Sequence, residues 1–279
     1  MSRTTLELHG LQLAVHSWGE ADSERPPVLC LPSTGLSGLQ WRRLARRLAK
    51  RGHWVLAPDF IGYGDSDTWA GPGPFTTRYD VELAAALIRD WDRPGHLVGH
   101  SYGGRVGLTL AREQPDRFRS LALFEPTCFG VLRSTGEREA VAELEAYDAD
   151  GRFLDPSFGA SEAWIERFVE YWSGAGSWAE LDADERGRWL RSSQKMFEEV
   201  SETARDEVPH GAYVDTLGHL PLLTLSGETS TLAGRGCARV LAEVWPAGRH
   251  LEIADVGHMG PVLAAAEVSA AILEFIEGC

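Results

Sequence analysis

The stretch HLVGHSYGG, residues 96–104, decides the fold because it joins a buried strand to a helix through a tight turn. HLVGHS is apolar enough for a strand, and residues 102–114 follow a helical pattern. Gly99 and Gly103 flank Ser101 in a G-x-S-x-G arrangement, and because glycine has no Cβ, the strand and the helix can approach closely there. The turn therefore predicts an exposed Ser101 hydroxyl at a helix N-terminus.

Short apolar strands alternate with helices on both sides of this turn. Before it, the pattern predicts an antiparallel hairpin (TTLELHG and LQLAVHSWG), strands over 27–33 and 53–60, and helices over about 38–51 and 81–91. After it, the pattern predicts strands over 120–126, 220–227 and 250–254 and helices over about 235–244 and 264–276. Buried strands with helical crossovers indicate a mostly parallel sheet with helices on both faces.

Residues 128–215 interrupt this alternation. They are rich in charge, contain helical patterns such as SEAWIERFVEYW, and carry Trp164, Trp172, Trp178 and Trp189. The βα units that follow them could not bury a core alone. We therefore expect one α/β core, formed by residues 1–127 and 216–279, with residues 128–215 inserted as a helical cap.

Composition and charge narrow the range of partners. The 279 residues are 43% hydrophobic and 24% charged, with a net charge of −14, which argues against nucleic acid or anionic membrane partners because phosphate binding needs clustered Lys and Arg. The four cysteines are scattered, without CxxC or nearby His spacing, which is typical of reduced thiols. There is no apolar signal segment and no run near the ~18 apolar residues of a membrane helix. We expect a cytoplasmic protein that acts on a small molecule without a metal or cofactor.

A serine hydroxyl becomes a good nucleophile only when a base takes its proton. His258 lies in ADVGHMGPV, between the last predicted strand and the last helix, at the same carboxyl edge of the sheet as Ser101. His100 is adjacent to Ser101, but strand alternation points it away from the serine. The other histidines lie in or beside strand starts and loops, where packing or surface roles are more common. The sequence thus predicts His258 as the base.

These features resemble the alpha/beta-hydrolase superfamily over nearly the whole chain. The resemblance rests on GHSYGG (99–104), APDFIGYGDSD (57–67), GHMGP (257–261) and the helical insertion after the sixth strand. In the second of these, Asp59 is expected to organise backbone rather than perform chemistry. The resemblance implies the alpha/beta-hydrolase fold, with a mostly parallel eight-stranded sheet, helices on both faces, a helical cap and a catalytic triad in the chain order serine, acid, histidine.

The loop after the third strand departs from the pattern of that superfamily. Members usually carry His-Gly there, whereas this chain has Pro32-Ser33 in CLPSTGLSG. The loop supplies one of two backbone N–H groups that stabilise the oxyanion, and by alignment the donors are Thr34 and Tyr102. Because backbone donors do not depend on the side chain, we expect the oxyanion hole to survive.

The position of the acid is a second departure. Many members carry it after the seventh strand in a G-x-x-D pattern, which here reads GETS and ends at Ser230. LALFEP instead places Glu125 at the end of the sixth strand, where some families of the superfamily carry their acid, and a glutamate is costly to bury there without a partner. Glu228 is the rival, and a Ser–His dyad without an acid is the third alternative. We expect Glu125.

The resemblance implies a serine hydrolase (carboxylesterase-like) that cleaves a small to medium ester through an acyl-enzyme. Phe129, Trp164 and Trp172 are expected to line the substrate pocket, although a tryptophan stripe is also typical of a cap core. Haloalkane dehalogenases and epoxide hydrolases of the superfamily need a carboxylate nucleophile, so Ser101 counts against both. Carbon–carbon bond hydrolysis and a non-hydrolytic member that binds or cyclises a small molecule are the alternatives, and a fluorophosphonate probe would separate hydrolysis from binding.

Overall fold

A computed structural model describes residues 1–279, and its strands form one eight-stranded sheet in the order β1-β2-β4-β3-β5-β6-β7-β8. The strands are β1 (Ser2–Leu8), β2 (Leu11–Trp18), β3 (Val28–Leu31), β4 (Val55–Pro58), β5 (Gly95–His100), β6 (Phe118–Phe124), β7 (Leu222–Gly227) and β8 (Gly248–Ile253). β2 pairs antiparallel with β1 and β4, and every other pair is parallel. The predicted hairpin and mostly parallel sheet are confirmed.

The α-helices are, in chain order, α1 (Arg42–Ala49), α2 (Thr77–Ile88), α3 (Tyr102–Glu113), α4 (Phe129–Thr135), α5 (Arg138–Tyr147), α6 (Glu162–Ser173), α7 (Ser177–Glu180), α8 (Ala183–Arg191), α9 (Ser193–Ala204), α10 (His210–Leu217), α11 (Leu232–Val244), α12 (Gly260–Leu263) and α13 (Ala265–Glu277). Helices α4 to α10 all lie between β6 and β7. None of the helices has the length and apolar character needed to cross a membrane.

Two helices begin before the residues that hydrophobic periodicity predicts. α2 begins at Thr77 rather than near 81, because its first turn is polar and carries no apolar repeat. α11 begins at Leu232 rather than near 235, since the Thr231 side chain accepts a hydrogen bond from the backbone N–H of Gly234 at 3.1 Å and caps the helix. A polar first turn and a capping side chain thus set the ends that periodicity alone misplaces.

The core lies on both faces of the sheet because alternate residues of each strand point to opposite sides. In β3, Leu29 and Leu31 join one buried cluster, whereas Val28 and Cys30 join the other. A third cluster, centred on Trp164, is built from the middle of the inserted helical segment. Parallel strands bring their carboxyl ends to one edge of the sheet, so the residues that follow β5, β6 and β8 meet there.

Candidate active site

Ser101 occupies a strained turn between β5 and α3. Its φ of 52° and ψ of −119° lie outside the regions that residues with a side chain normally adopt. A Cβ on Gly103 would lie 2.3 Å from the carbonyl oxygen of Pro32, and a Cβ on Gly99 would lie 2.7 Å from the Cα of Gly104. Both glycines are therefore required by close backbone approach. Ser101 is only 4% exposed, rather than open to solvent as the sequence predicts, because it lines a cavity enclosed by other parts of the chain.

Glu125 directly follows β6 and meets His258 at the same edge of the sheet. The distance from Glu125 Oε2 to His258 Nδ1 is 2.5 Å, and the two side chains are 0% and 2% exposed. Glu125 also has a positive φ of 41°, a strained conformation that a residue with a side chain adopts only when its surroundings impose it. With the proton on Nδ1 and directed at the carboxylate, the neutral imidazole has its acceptor at Nε2.

Two other candidate contacts, that of Glu228 with His258 and that of Ser101 with His258, are not made in the structure. Glu228 is exposed, and its Oε2 accepts a hydrogen bond from the backbone N–H of Asp255 at 3.0 Å rather than one from His258. The structure therefore brings Glu125, and not Glu228, to the histidine. It does not join Ser101 to His258 by a hydrogen bond.

Trp172, near the end of α6, covers the His258 imidazole. The ring centroids are 4.1 Å apart and the planes are inclined by 32°. Trp172 lines two cavities, one of about 350 Å³ that contains Ser101 and an adjoining one of about 370 Å³ that contains His258. The indole is thus in contact with the candidate base and with the space available to a substrate.

His100 positions the loop that carries His258. Its Nε2–H donates to the carbonyl oxygen of His258 at 2.9 Å, and its Nδ1 accepts from the amide of Gln40 at 2.9 Å. Burial, together with the neighbouring His258, holds the pKa of His100 well below its ordinary value, so His100 is neutral. Gln40 in turn accepts a hydrogen bond from the backbone N–H of Ser33 at 3.1 Å. A chain of hydrogen bonds therefore links the loop after β3 to the His258 loop.

Thr34 and Tyr102 both lie at the wall of the Ser101 cavity. Tyr102 is the first residue of α3, where a backbone N–H has no acceptor within the helix. The turn after Thr34 is closed by Gly35, whose φ is 73°. A Cβ on Gly35 would lie 2.3 Å from the Trp189 ring, so the absence of a side chain there leaves room for the indole. The inserted helices thus pack directly on the loop that contains Pro32-Ser33.

The cavity beside Ser101 has walls that are mostly hydrophobic and aromatic. Phe129 and Trp172 line it, as expected from the sequence. Trp164 does not, because it is 0% exposed and stacks between Phe153 and Phe168 inside the third cluster. Its Nε1–H donates to the carbonyl oxygen of Phe153 at 2.8 Å. Trp164 therefore holds the inserted helices together rather than bounding the cavity.

Comparison with known proteins identifies the family of this fold. A family model described as "alpha/beta hydrolase fold" matches residues 26–265, most of the chain. The chain belongs to the alpha/beta hydrolase family. Lipase LipV of Mycobacterium tuberculosis is 32% identical over 172 residues, 62% of this chain and 58% of that lipase, so less than two thirds of its length is matched. Rhodomycin D methylesterase DauP of Streptomyces sp. (strain C5) is 27% identical over 94% of both chains.

Solved structures show the same architecture. A thermophilic esterase from Thermogutta terrifontis superposes on this alpha/beta hydrolase with a TM-score of 0.72 at 21% sequence identity, covering 100% of this chain and 99% of that one. At such low identity the superposition establishes the fold alone.

Asp59 organises backbone in this alpha/beta hydrolase, as its sequence context predicts. Its two carboxylate oxygens accept hydrogen bonds from the backbone N–H groups of Gly38 at 2.7 Å and Asp65 at 2.8 Å, and Oδ1 also contacts His16 Nε2 at 3.0 Å. Asp59 therefore ties the turn after β4 to the segment leading into α1. No group of three or more His, Cys, Asp or Glu side chains is arranged to hold a metal ion.

Sequence reasoning missed a buried ionic cluster behind the Thr34 and Tyr102 wall. Lys195 of α9 contacts Glu199 Oε2 and lies 3.0 Å from Asp80 Oδ2, and both carboxylates are 0% exposed. The Tyr102 hydroxyl donates to Asp80 at 3.0 Å. The sequence signal was a Lys–Glu pair spaced i, i+4, which is also typical of exposed helix faces. The cluster connects the inserted helices to the core next to Ser101.

Proposed function

We propose that this alpha/beta hydrolase is a serine hydrolase that cleaves a small to medium carboxylic ester. Ser101 is the nucleophile, His258 the general base and Glu125 the acid that orients it, with residues 128–215 forming a cap over the core made of residues 1–127 and 216–279. The observation that carries the proposal is the 2.5 Å contact between Glu125 Oε2 and His258 Nδ1, buried at the sheet edge that also presents Ser101.

The chemistry proceeds through an acyl-enzyme. His258 Nε2 takes the proton from Ser101 Oγ as the oxygen attacks the ester carbonyl carbon, and Glu125 stabilises the resulting imidazolium. The backbone N–H groups of Thr34 and Tyr102 stabilise the oxyanion of the tetrahedral intermediate. His258 then returns the proton to the departing alcohol. Water, deprotonated by the same nitrogen, then attacks the acyl carbon of the acyl-enzyme. The bond from that carbon to Ser101 Oγ breaks, Oγ takes the proton back from His258, and the carboxylic acid leaves.

The cavity supports an ester with an apolar acyl or alcohol part. Its volume of about 350 Å³ is at the small end for ligand sites, and Phe129, Phe168 and Trp172 give it aromatic walls. Two of the relatives are a lipase and a methylesterase, which also favours ester hydrolysis over other uses of the fold.

Two measurements test the proposal. A fluorophosphonate probe should label the wild-type chain at Ser101 and leave Ser101→Ala unlabelled. On p-nitrophenyl esters of graded chain length, Ser101→Ala should lose several orders of magnitude in kcat, about 10³-fold or more. Because only one small hydroxyl is removed, its melting temperature should match that of the wild type. Ordinary ester turnover by the alanine variant would refute the assignment of the nucleophile, and a folded but unlabelled wild type would indicate a non-hydrolytic binding protein.

A further inference from the structure

The carboxylate of Glu125 is held by the loop that follows β7. The backbone N–H of Gly227 donates to Oε1 at 2.8 Å, and the Ser230 hydroxyl donates to Oε2 at 2.6 Å. Oε2 is the same oxygen that lies 2.5 Å from His258 Nδ1. The loop GETS, which lacks an acid of its own at position 230, therefore supplies donors to the acid that arrives from β6.

Helix α11 is also shaped around this carboxylate. A Cβ on Gly234 would lie 2.7 Å from Glu125 Oε2, too close for any side chain without displacing the carboxylate. Thr231, which caps α11 through Gly234 N–H, sets where that glycine lies. These contacts therefore constrain residues 227–234 even though the acid comes from the end of β6.

A glutamate needs this support more than an aspartate would. Its extra torsion lets the carboxylate turn away from the imidazole, and that freedom is lost only when both oxygens are anchored. Hydrogen bonds to an ionised acceptor are shorter and stronger than neutral ones, so one hydroxyl on Oε2 restrains the oxygen that faces His258. Tautomer control requires that oxygen to stay in place.

We propose that Ser230 is a positioning residue for the Glu125–His258 pair, and that position 230 lies close enough to the imidazole to carry the acid itself. The second part follows from the shared oxygen. An aspartate at 230 would place its Cγ near the present Ser230 Oγ, and its carboxylate oxygens would extend toward the space that Glu125 Oε2 now fills. This inference rests on the proposed triad.

The first test removes only the hydroxyl. Ser230→Ala should lower kcat about tenfold with KM nearly unchanged, as expected for loss of one hydrogen bond to a charged group. Ser230→Thr, which keeps the hydroxyl, should retain most of the rate. Thr229→Ala is the matched control, because Thr229 is exposed and its side chain makes no hydrogen bond to Glu125. The downfield proton resonance of His258 Nδ1–H should shift in Ser230→Ala and not in Thr229→Ala.

The second test moves the acid. Glu125→Ala should lose about 10²–10⁴ in kcat, and the double variant Glu125→Ala/Ser230→Asp, in which the space of the glutamate carboxylate is free for the aspartate, should recover at least about tenfold of that loss. Glu125→Ala/Thr229→Asp adds the same charge one residue away and should recover nothing. Thermal unfolding of each variant checks that the fold is retained.

Two results would overturn the inference. One is a Ser230→Ala variant with wild-type kcat and an unshifted His258 resonance, and the other is a folded Glu125→Ala/Ser230→Asp variant no faster than Glu125→Ala. Failure of the proposed function would give a different result, since a wild type that neither turns over esters nor reacts with fluorophosphonate would refute the proposed hydrolase activity. The His258 resonance, which needs no substrate, would still decide whether Ser230 positions the pair.

Discussion

Replacing Lys195 by methionine tests the buried cluster that joins α9 to the core. Lys195 is 5% exposed and is paired with Asp80 and Glu199, which have no exposed surface. Methionine keeps an unbranched apolar stem of similar length, so little cavity is created and the main change is loss of the positive charge. The variant therefore leaves two buried carboxylates without their cation.

The expected cost is large because a broken buried ion pair leaves an uncompensated charge in a poorly solvated place. Such changes typically reduce the free energy of unfolding by about 3–5 kcal/mol. Hydrogen bonds remain on both carboxylates, from Ile61 N–H at 3.1 Å and Tyr102 Oη at 3.0 Å on Asp80, and from Tyr63 Oη at 2.8 Å on Glu199. These bonds should keep the loss within that range and the variant folded at neutral pH.

The loss should depend on pH in a defined direction. Burial raises the pKa of the Asp80 and Glu199 carboxyls above their ordinary values, and the Lys195 ammonium opposes that rise. Without the ammonium both values rise further. A carboxyl whose pKa is higher in the folded state contributes stability at acid pH and loses it as pH rises through the folded pKa. The deficit of the variant relative to the wild type should thus be greatest at alkaline pH and shrink toward acid pH.

Urea unfolding, followed by tryptophan fluorescence at about pH 8 and about pH 5, measures this difference directly. Lys50→Met is the matched control, because the sequence contains lysine only at positions 50 and 195 and Lys50 is exposed. It should change the free energy of unfolding by less than about 0.5 kcal/mol. A Lys195→Met deficit below about 1 kcal/mol at the higher pH, or one that does not shrink at the lower pH, would refute the electrostatic reasoning.

Two further predictions follow from the contacts of Trp172 and from the burial of the thiols. Trp172→Leu should reduce kcat about 2- to 30-fold because the imidazolium formed on His258 loses its aromatic partner, whereas Trp172→Phe should keep most of the rate. Steady-state kinetics on variants with matched melting temperatures measures this difference, and equal rates in the two variants would contradict the prediction. Ellman's reagent should modify only the partly exposed Cys279 in the native protein, and the buried thiols only after denaturation, since burial raises the pKa of the Cys30 and Cys237 thiols. Rapid reaction of more than one thiol in the native protein would contradict this prediction.

The sequence by itself determined the architecture and two members of the candidate site. Short apolar runs, glycine pairs and helical spacing are local signals, and each depends on residues that are neighbours along the chain. They were sufficient to predict the mostly parallel sheet, the turn at Ser101 and the loop that carries His258. Element ends were less accurate, as at α2 and α11, because polar first turns and capping side chains decide them and periodicity does not.

The sequence favoured Glu125 over Glu228, but only the tertiary structure shows which of them lies beside His258, because that contact depends on a distance across strands that are far apart in sequence. The same holds for Ser230, whose hydroxyl meets a carboxylate 105 positions away. Trp164 and Trp172 lie on one helix with similar spacing signals, yet one is packed inside the helical cluster and the other faces the candidate base. The spacing of Lys195 and Glu199 is typical of an ion pair on an exposed helix face, and only the packing of α9 against α2 shows that the pair is buried. Long-range packing decides these cases, since a side chain's charge or ring acts on whatever the fold brings within a few ångströms of it.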